Sequence, residues 1–595
     1  MRTIAAFQRV IFIFATFLVA SGFSLPVQAA APANRPNIVL IMTDDQGYGD
    51  LGVQGNPLIR TPHIDKLAAD SAVLQNFYVS PVCTPTRACL MTGRYNYRTR
   101  AIDTFRGRAM MDTNEVTIAE MLRTGGYATG IFGKWHLGDC YPMRPIDQGF
   151  DVSLVHRGGG IGQPSDPPGA EDKYTDPILF RNGQAESLKG YCTDIYFSEA
   201  MRWADKAVAA NMPFFLYLPT NCPHGPFADV PPEKYAHHAQ QKITADRFPQ
   251  SPGNAIARLD SDTQARVYAM IENIDDNVGR LMKWLDEKKL ADSTLVIFMT
   301  DNGRATPGYN AGFRGNKSTV YEGGIRSPFF ARWPGTLKPG VVSDRIAAHF
   351  DLAPTFLEIC GVQSPANLKL DGRSLWPLLQ GRAGAWPDRT LFTQGHRGDQ
   401  PVLYHNFAAR NQKWKLVSAT GFGSEAMPAG GPKFELFDMQ RDPYELKDVS
   451  AQHPEIVAKL KGEYEAWFKD VGSTRPDNYA PPRPIVGSPH EKTTVLTRQD
   501  WRGAGWGPND IGHWEIDIAT PGRYDVKIIA APATVQRSVQ LKLGDRNVTV
   551  PFAEKATEQT IPIGNIAAGP QKLEAWLEGG TTKVGVRFVE LTLNQ

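Results

Sequence analysis

The chain is poor in cysteine, with six residues (Cys83, Cys89, Cys140, Cys192, Cys222 and Cys360) in 595. So few cannot form a disulfide-built scaffold, and stability must come from packed cores. The chain also lacks a charge imbalance: 64 basic residues face 62 acidic ones, a formal net charge of +2. Nothing at the level of net charge calls for a nucleic-acid or anionic-membrane partner. No convincing internal repeat or low-complexity tract is visible, and no apolar run after Phe23 is long enough to span a bilayer. Hydrophobic residues make up 42% and charged residues 21%, which excludes a disordered chain.

What is present points to several domains, because a single core stops growing near about 250–300 residues. The 55 glycines and 45 prolines imply many turns and long irregular connections. At the start, Arg2 and Arg9 precede a short apolar run, Val10 to Phe23, followed by Leu25-Pro-Val-Gln-Ala-Ala30. A positive segment, a short apolar core and a small-residue end read as a secretory signal peptide over 1–29. Its removal takes two positive charges, Arg2 and Arg9, and leaves no formal net charge. The expectation is an exported protein, periplasmic or extracellular, with no membrane association after cleavage. In such a compartment an even cysteine count invites disulfides, and a Cys140–Cys192 pair is one option.

Four apolar runs each end in polar residues able to do chemistry. Asn37–Met42 leads into Thr43-Asp44-Asp45, and Ala128–Phe132 into Gly133-Lys134-Trp135-His136. Phe214–Leu218 leads into Pro219-Thr-Asn-Cys-Pro-His224, and Leu295–Met299 into Thr300-Asp301-Asn302-Gly303. Continuous hydrophobicity predicts strands buried on both faces of a parallel sheet. An amphipathic stretch from Gln264 to Leu285 predicts a covering helix. Ligands bind beyond the carboxyl ends of such strands, so four polar ends together describe one site.

The expected fold class is therefore α/β, a mixed, mostly parallel sheet sandwiched by helices, over 35–390. A small α+β subdomain follows over 391–472, with a strand at Phe434–Asp438 and a helix from His453 to Val471. Residues 473–498 are proline-rich and read as a linker or extended strap. Short alternating runs at Trp514–Ile518, Tyr524–Ile528, Val539–Leu543 and Val584–Phe588 predict an appended β-sandwich over 499–595. Trp514 should be core. For Trp501 and Trp506, set among glycines, packing is the expectation and stacking on sugar rings the alternative.

The segment Cys83-Thr-Pro-Thr-Arg87-Ala-Cys-Leu-Met-Thr-Gly-Arg94 is the most informative in the chain. Pro85 suits a helix start, which places Cys83 near a helix N-terminus and Arg87 one turn on. Spacing alone leaves open a buried or disulfide-bonded cysteine. The segment resembles the signature of the formylglycine-dependent sulfatases (type I, of the alkaline phosphatase-like superfamily). Further blocks match in order: Pro36-Asn37-Ile38 with Thr43-Asp44-Asp45, Gly133-Lys134-Trp135-His136-Leu137-Gly138, Pro223-His224, Thr300–Gly303 and Gly315–Arg326. They cover roughly 35–470 and suggest a secreted, bacterial, arylsulfatase-like member. Thr86 stands where many members have serine, and Cys222 before Pro223 is a departure as well.

The resemblance implies that Cys83 becomes formylglycine (3-oxoalanine) through a maturation enzyme, and that it adjoins one metal ion. Asp44, Asp45, Asp301 and Asn302 offer only oxygen donors, which suit Ca2+, with Mg2+ as the alternative. Taken singly, these pairs would serve as a helix cap and a turn. By resemblance Arg87 stabilises the hydrated aldehyde, Lys134 and Lys317 hold sulfate oxygens, and His136 helps eliminate sulfate. His224 serves the leaving oxygen, with Lys317 as its competitor. His156, His396 and Arg397 are weaker substrate-contact candidates. The expected activity is sulfate ester hydrolysis, on sulfated carbohydrate by inference from the added β-domain. A phosphate or phosphonate ester hydrolase and a sulfated-glycan-binding protein are the alternatives.

Overall fold

The computed structural model describes residues 35–594 apart from 168–169, 171–172, 250–255, 423–425, 504 and 508–509. The expected signal peptide lies outside the described residues. All four apolar runs are strands: Asn37–Thr43, Ala128–Lys134, Phe214–Pro219 and Thr294–Thr300. They lie side by side and parallel within a ten-stranded mixed sheet, extended by Val152–His156 on one side and Phe329–Arg332 on the other. Residues alternate between two cores. Ile38, Leu40 and Met42 join one apolar cluster, while Val39 and Ile41 join the other. Burying each such side chain is worth about 1.5–3 kcal/mol, which explains why runs apolar at every position become central strands. Ser261–Glu287, with the predicted stripe Val278, Leu281 and Leu285, covers one face. Cys83–Thr92 and Leu352–Cys360 cover the other.

A four-stranded antiparallel sheet follows (Leu391–Gln394, Phe407–Arg410, Trp414–Ser418, Glu435–Asp438), packed against the helix Pro454–Gly472. The proline-rich stretch then runs back over the first domain. Arg475 pairs with Asp112 and Glu115, and Asp477 pairs with Arg100. The segment read as a linker also carries two strands, Ile485–Val486 and Thr493–Thr497, one in each sheet of the C-terminal β-sandwich. Trp501 and Trp514 are both buried in that sandwich, with ring centroids 5.8 Å apart.

All six cysteines are free thiols, so the Cys140–Cys192 pairing is corrected. Cys140 packs at the junction with the sandwich, where its Sγ donates to Val495 O at 3.2 Å. Cys192 opens a helix in the core on one face of the central sheet. The sandwich docks firmly on the first domain. Arg144 meets Glu491 at 3.3 Å, Arg502 meets Asp399 at 2.6 Å, and Asp139 N donates to Asp500 Oδ2 at 3.4 Å.

Candidate active site

The parallel register brings the polar strand ends to one edge: Thr43 lies beside Thr300, Met42 beside Pro219 and Lys134 beside His156. The helix Cys83–Thr92 begins at Cys83, two residues before Pro85, and every one of its residues is buried. Its polar side chains are satisfied locally. Thr86 Oγ1 donates to Asp301 O at 2.7 Å, and Thr84 Oγ1 to His136 O at 3.2 Å. The threonine that replaces the more usual serine thus ties the helix to the Asp301 strand end. Arg87, fully buried one turn on, donates to Asp301 Oδ2 at 3.0 Å and to Lys134 O at 2.8 Å.

Around Cys83 three carboxylates face three cations. Its Sγ lies 3.4 Å from Asp44 Oδ1 and 3.4 Å from Lys317 Nζ. Lys134 Nζ reaches Asp44 Oδ2 and Lys317 Nζ reaches Asp45 Oδ1, each at 2.5 Å. Asn302 Nδ2 donates to Asp45 Oδ1 at 2.9 Å, and Asp45 N donates to Asp301 Oδ1 at 3.1 Å. Asp45, His136 and Ser318 all adopt positive φ (64°, 59° and 72°). Strained backbone of this kind persists only where the surroundings over-determine it.

The electrostatics follow from burial and from these neighbours. Burial, reinforced by Asp44, pushes the Cys83 thiol up to about 12. Burial and then Asp44 raise Asp301 to about 7. For Asp45, burial acts upward, but Lys317, His224 and Lys134 outweigh it and hold the carboxyl below the usual range. Burial, aided by the Lys134 charge, takes His136 far below the ordinary histidine value. Burial takes His224 to about 4 although Asp45 opposes it. Desolvation acts downward on the partly exposed Lys317 ammonium, but Asp45 outweighs it and holds it charged above its ordinary value.

Two backbone carbonyls fix the histidine tautomers. His136 Nε2 lies 2.8 Å from Thr104 O, which can only accept, so the ring proton sits on Nε2 and Nδ1 is left as the acceptor, buried and without a partner. His224 Nδ1 lies 2.6 Å from Gly225 O, so Nε2 is its free acceptor, 3.6 Å from Asp45 Oδ2. The Gly158–Gly160 loop presses on both rings. A Cβ at Gly160 would meet His224 Cε1 at 2.5 Å, and one at Gly159 would meet His136 Cε1 at 2.9 Å.

The donor set fits a hard cation. A carboxylate oxygen from each of Asp44 and Asp301 and the Cys83 Sγ lie within 4.8 Å of one another. Asn302 Oδ1 is buried and has no partner, an orphaned oxygen pointing to a missing positive ligand.

A cavity of about 230 Å3 opens over Cys83, with His136, His224, Lys317 and Arg397 in its wall. Arg397 is held there by Asp103 Oδ1 at 2.7 Å and Thr104 Oγ1 at 2.9 Å. The other two weaker candidates do not line the cavity. His156 is buried against Asp166 Oδ1 at 2.5 Å, and His396 is buried edge-on to His405. Sequence reasoning missed Thr104, Phe105 and Gln163, which also line the cavity, as well as Gln499 of the sandwich. Gln499 Nε2 donates to Thr104 O at 2.7 Å and sits 3.3 Å from His136 Nε2. Trp506 lines the cavity, its ring centroid 5.0 Å from that of Phe105. Its setting among glycines was the sequence signal that made stacking on sugar rings the alternative for this residue.

Residues 36–362 match the family model described as Sulfatase, and residues 312–469 match N-sulphoglucosamine sulphohydrolase, C-terminal. The chain is 33% identical over 403 residues to N-acetylgalactosamine-6-sulfatase of Sus scrofa, covering 61% of this chain and 70% of the relative. It is 34% identical over 479 residues to arylsulfatase A of Homo sapiens, covering 72% and 87%. Among solved structures, Ps i-CgsB in complex with a neocarrahexaose is similar, with a TM-score of 0.62, 30% identity and coverage of 73% of this chain and 93% of that one.

Proposed function

Since this chain belongs to the sulfatase family, whose named relatives are sulfuric ester hydrolases, we propose that it cleaves sulfate esters of carbohydrates through a formylglycine made from Cys83. The observation that carries this reading is the placement of Cys83 at a helix start, buried among Asp44, Lys317 and the Arg87–Asp301 pair. A thiol pushed up to about 12 is protonated at neutral pH and a poor nucleophile, so conversion to an aldehyde hydrate supplies what the unmodified side chain lacks. Conversion implies a maturation enzyme as a partner, and the leader over 1–29 implies export. No helix among the described residues is long and apolar enough to cross a membrane.

Asp44, Asp45, Asp301, Asn302 and residue 83 would hold one Ca2+, with Mg2+ as the alternative. When bound, such an ion supplies Lewis-acid polarisation and added positive charge to the cluster. The chain's own groups do the rest. One hydroxyl of the hydrated aldehyde passes its proton to the adjacent Asp44 carboxylate and attacks sulfur, a new S–O bond forms, and the S–O bond to the sugar breaks. The departing oxygen takes a proton. His224 enters neutral, so Lys317, kept charged by Asp45, is the donor at the cavity wall. His136, neutral with Nδ1 free to accept, takes the proton of the second hydroxyl. The C–O bond to sulfate then breaks and the aldehyde reforms. Lys134 and Arg87 keep the carboxylates ordered throughout.

Turnover of matched aryl sulfate and aryl phosphate tests the reading. The sulfate is expected to be cleaved faster by at least about tenfold in kcat/KM, about 1.4 kcal/mol in transition-state stabilisation. A preference for phosphate of that size would replace the sulfatase reading with the phosphohydrolase one.

A further inference from the structure

A second cavity, of about 420 Å3, adjoins the first and shares Gln163 and Trp506 with it. Its other walls come mainly from the β-sandwich, which lies beyond residue 469, where both family matches have ended. Three arginines line it (Arg498, Arg537 and Arg587), and among the described lining residues none is acidic. They are not equivalent. Arg498 is committed to structure: it donates to Val586 O at 2.9 Å, Gly585 O at 3.0 Å and Gly507 O at 2.7 Å. Trp506 Nε1 returns a bond to Arg498 O at 3.1 Å, so this arginine fixes the indole at the junction of the two cavities. Arg537 donates to Ala531 O at 2.6 Å, while its Nε is buried without a partner. Arg587 is half-buried in the same wall, is engaged by a neighbour as Arg498 is, and adds its charge to the cavity. Apolar side chains, Leu577 and Val584 among them, complete the lining. An apolar lining with a few fixed polar groups suits a sugar ring, and arginine suits a planar or tetrahedral oxyanion on it.

We propose that this cavity is a second subsite, in which Arg537 and Arg587 bind a sulfate or carboxylate on the neighbouring residue of a sulfated oligosaccharide whose scissile ester sits over Cys83. The inference rests on the sulfatase reading. Continuity through Trp506 and Gln163 favours one chain lying across both cavities over an unrelated ligand. The added domain thereby selects polymer fragments over single sugars.

The test uses the full chain with Cys83 converted, and follows inhibition of 4-nitrophenyl sulfate turnover. The inhibitors are N-acetylgalactosamine 6-sulfate and tetrasaccharides from chondroitin 6-sulfate (carboxylate-bearing) and iota-carrageenan (sulfate-bearing). At least one tetrasaccharide should inhibit about tenfold better than the monosaccharide, a difference of about 1.4 kcal/mol. The double variant Arg537→Ala/Arg587→Ala should lose that advantage, and Arg537→Lys alone should retain part of it. Because the readout is a ratio of inhibition constants, damage to the catalytic centre cancels. Equal inhibition by mono- and tetrasaccharides, or an advantage that survives in the double variant, overturns the subsite while leaving the sulfatase reading intact. Failure of the converted wild type to cleave 4-nitrophenyl sulfate overturns both.

Discussion

Replacing Lys317 with alanine separates proton donation from simple charge. Lys317 Nζ sits 2.5 Å from Asp45 Oδ1 and 3.4 Å from Cys83 Sγ, with 19% of its side chain exposed. The two imidazoles nearest the cavity are neutral, which leaves this ammonium as the charged proton carrier in the wall. General acid catalysis is worth about 10²–10⁴-fold, or about 3–5 kcal/mol, when the leaving oxygen is basic, as in a sugar alcohol. A nitrophenolate leaves as a stable anion and needs little of this help. Lys317→Ala should therefore lower kcat on a sugar sulfate by at least about 10²-fold while lowering it on 4-nitrophenyl sulfate by less than about tenfold. Steady-state kinetics on both substrates, with Asp45→Asn as the control for a disturbed carboxylate, reads the difference. Equal losses on the two substrates would assign Lys317 a purely electrostatic role. An unchanged rate on the sugar sulfate would refute the assignment outright.

Removal of the cation by a chelator should abolish turnover, with Ca2+ or Mg2+ restoring it and Zn2+ failing to, since the donors are oxygens; recovery with Zn2+ alone would contradict the ligand set. Burial raises Asp103, the partner of Arg397, from 3.8 to about 6. A folded carboxyl raised in this way contributes stability that is fully present below pH about 4 and lost as pH rises through about 6. Relative to Asp103→Asn, the wild type should gain about 2 kcal/mol between pH 7 and pH 4, seen as a shift of the urea midpoint. A gap that stays constant or grows with pH would contradict it.

The strands and most of the polar cluster around Cys83 were legible because their signals are local. Strands buried on both faces carry unbroken apolar runs, and parallel pairing aligns their ends, so Asp44, Lys134, His224 and Asp301 had to meet. The sandwich strands announced themselves by alternation, as at Trp514–Ile518. Other features depend on docking, which no local pattern encodes. Gln499 lies 363 residues from His136 in the chain, and it reaches that ring only because the sandwich packs against the first domain. The same docking sets Cys140 against Val495, and its thiol is free. His396 and Arg397 are neighbours in sequence, yet one packs on His405 and the other enters the cavity, a choice set by the loop carrying Asp103 and Thr104.

The conversion of Cys83 underlies every chemical step proposed for the site. Mass spectrometry of the proteolytic peptide containing Cys83, from protein made with a matching maturation enzyme, reads it directly. The expected peptide is lighter by one sulfur and two hydrogens and heavier by one oxygen, and it resists thiol alkylation. A peptide of unmodified mass that takes up an alkylating reagent, in a host known to mature such proteins, would contradict the mechanism at its first step.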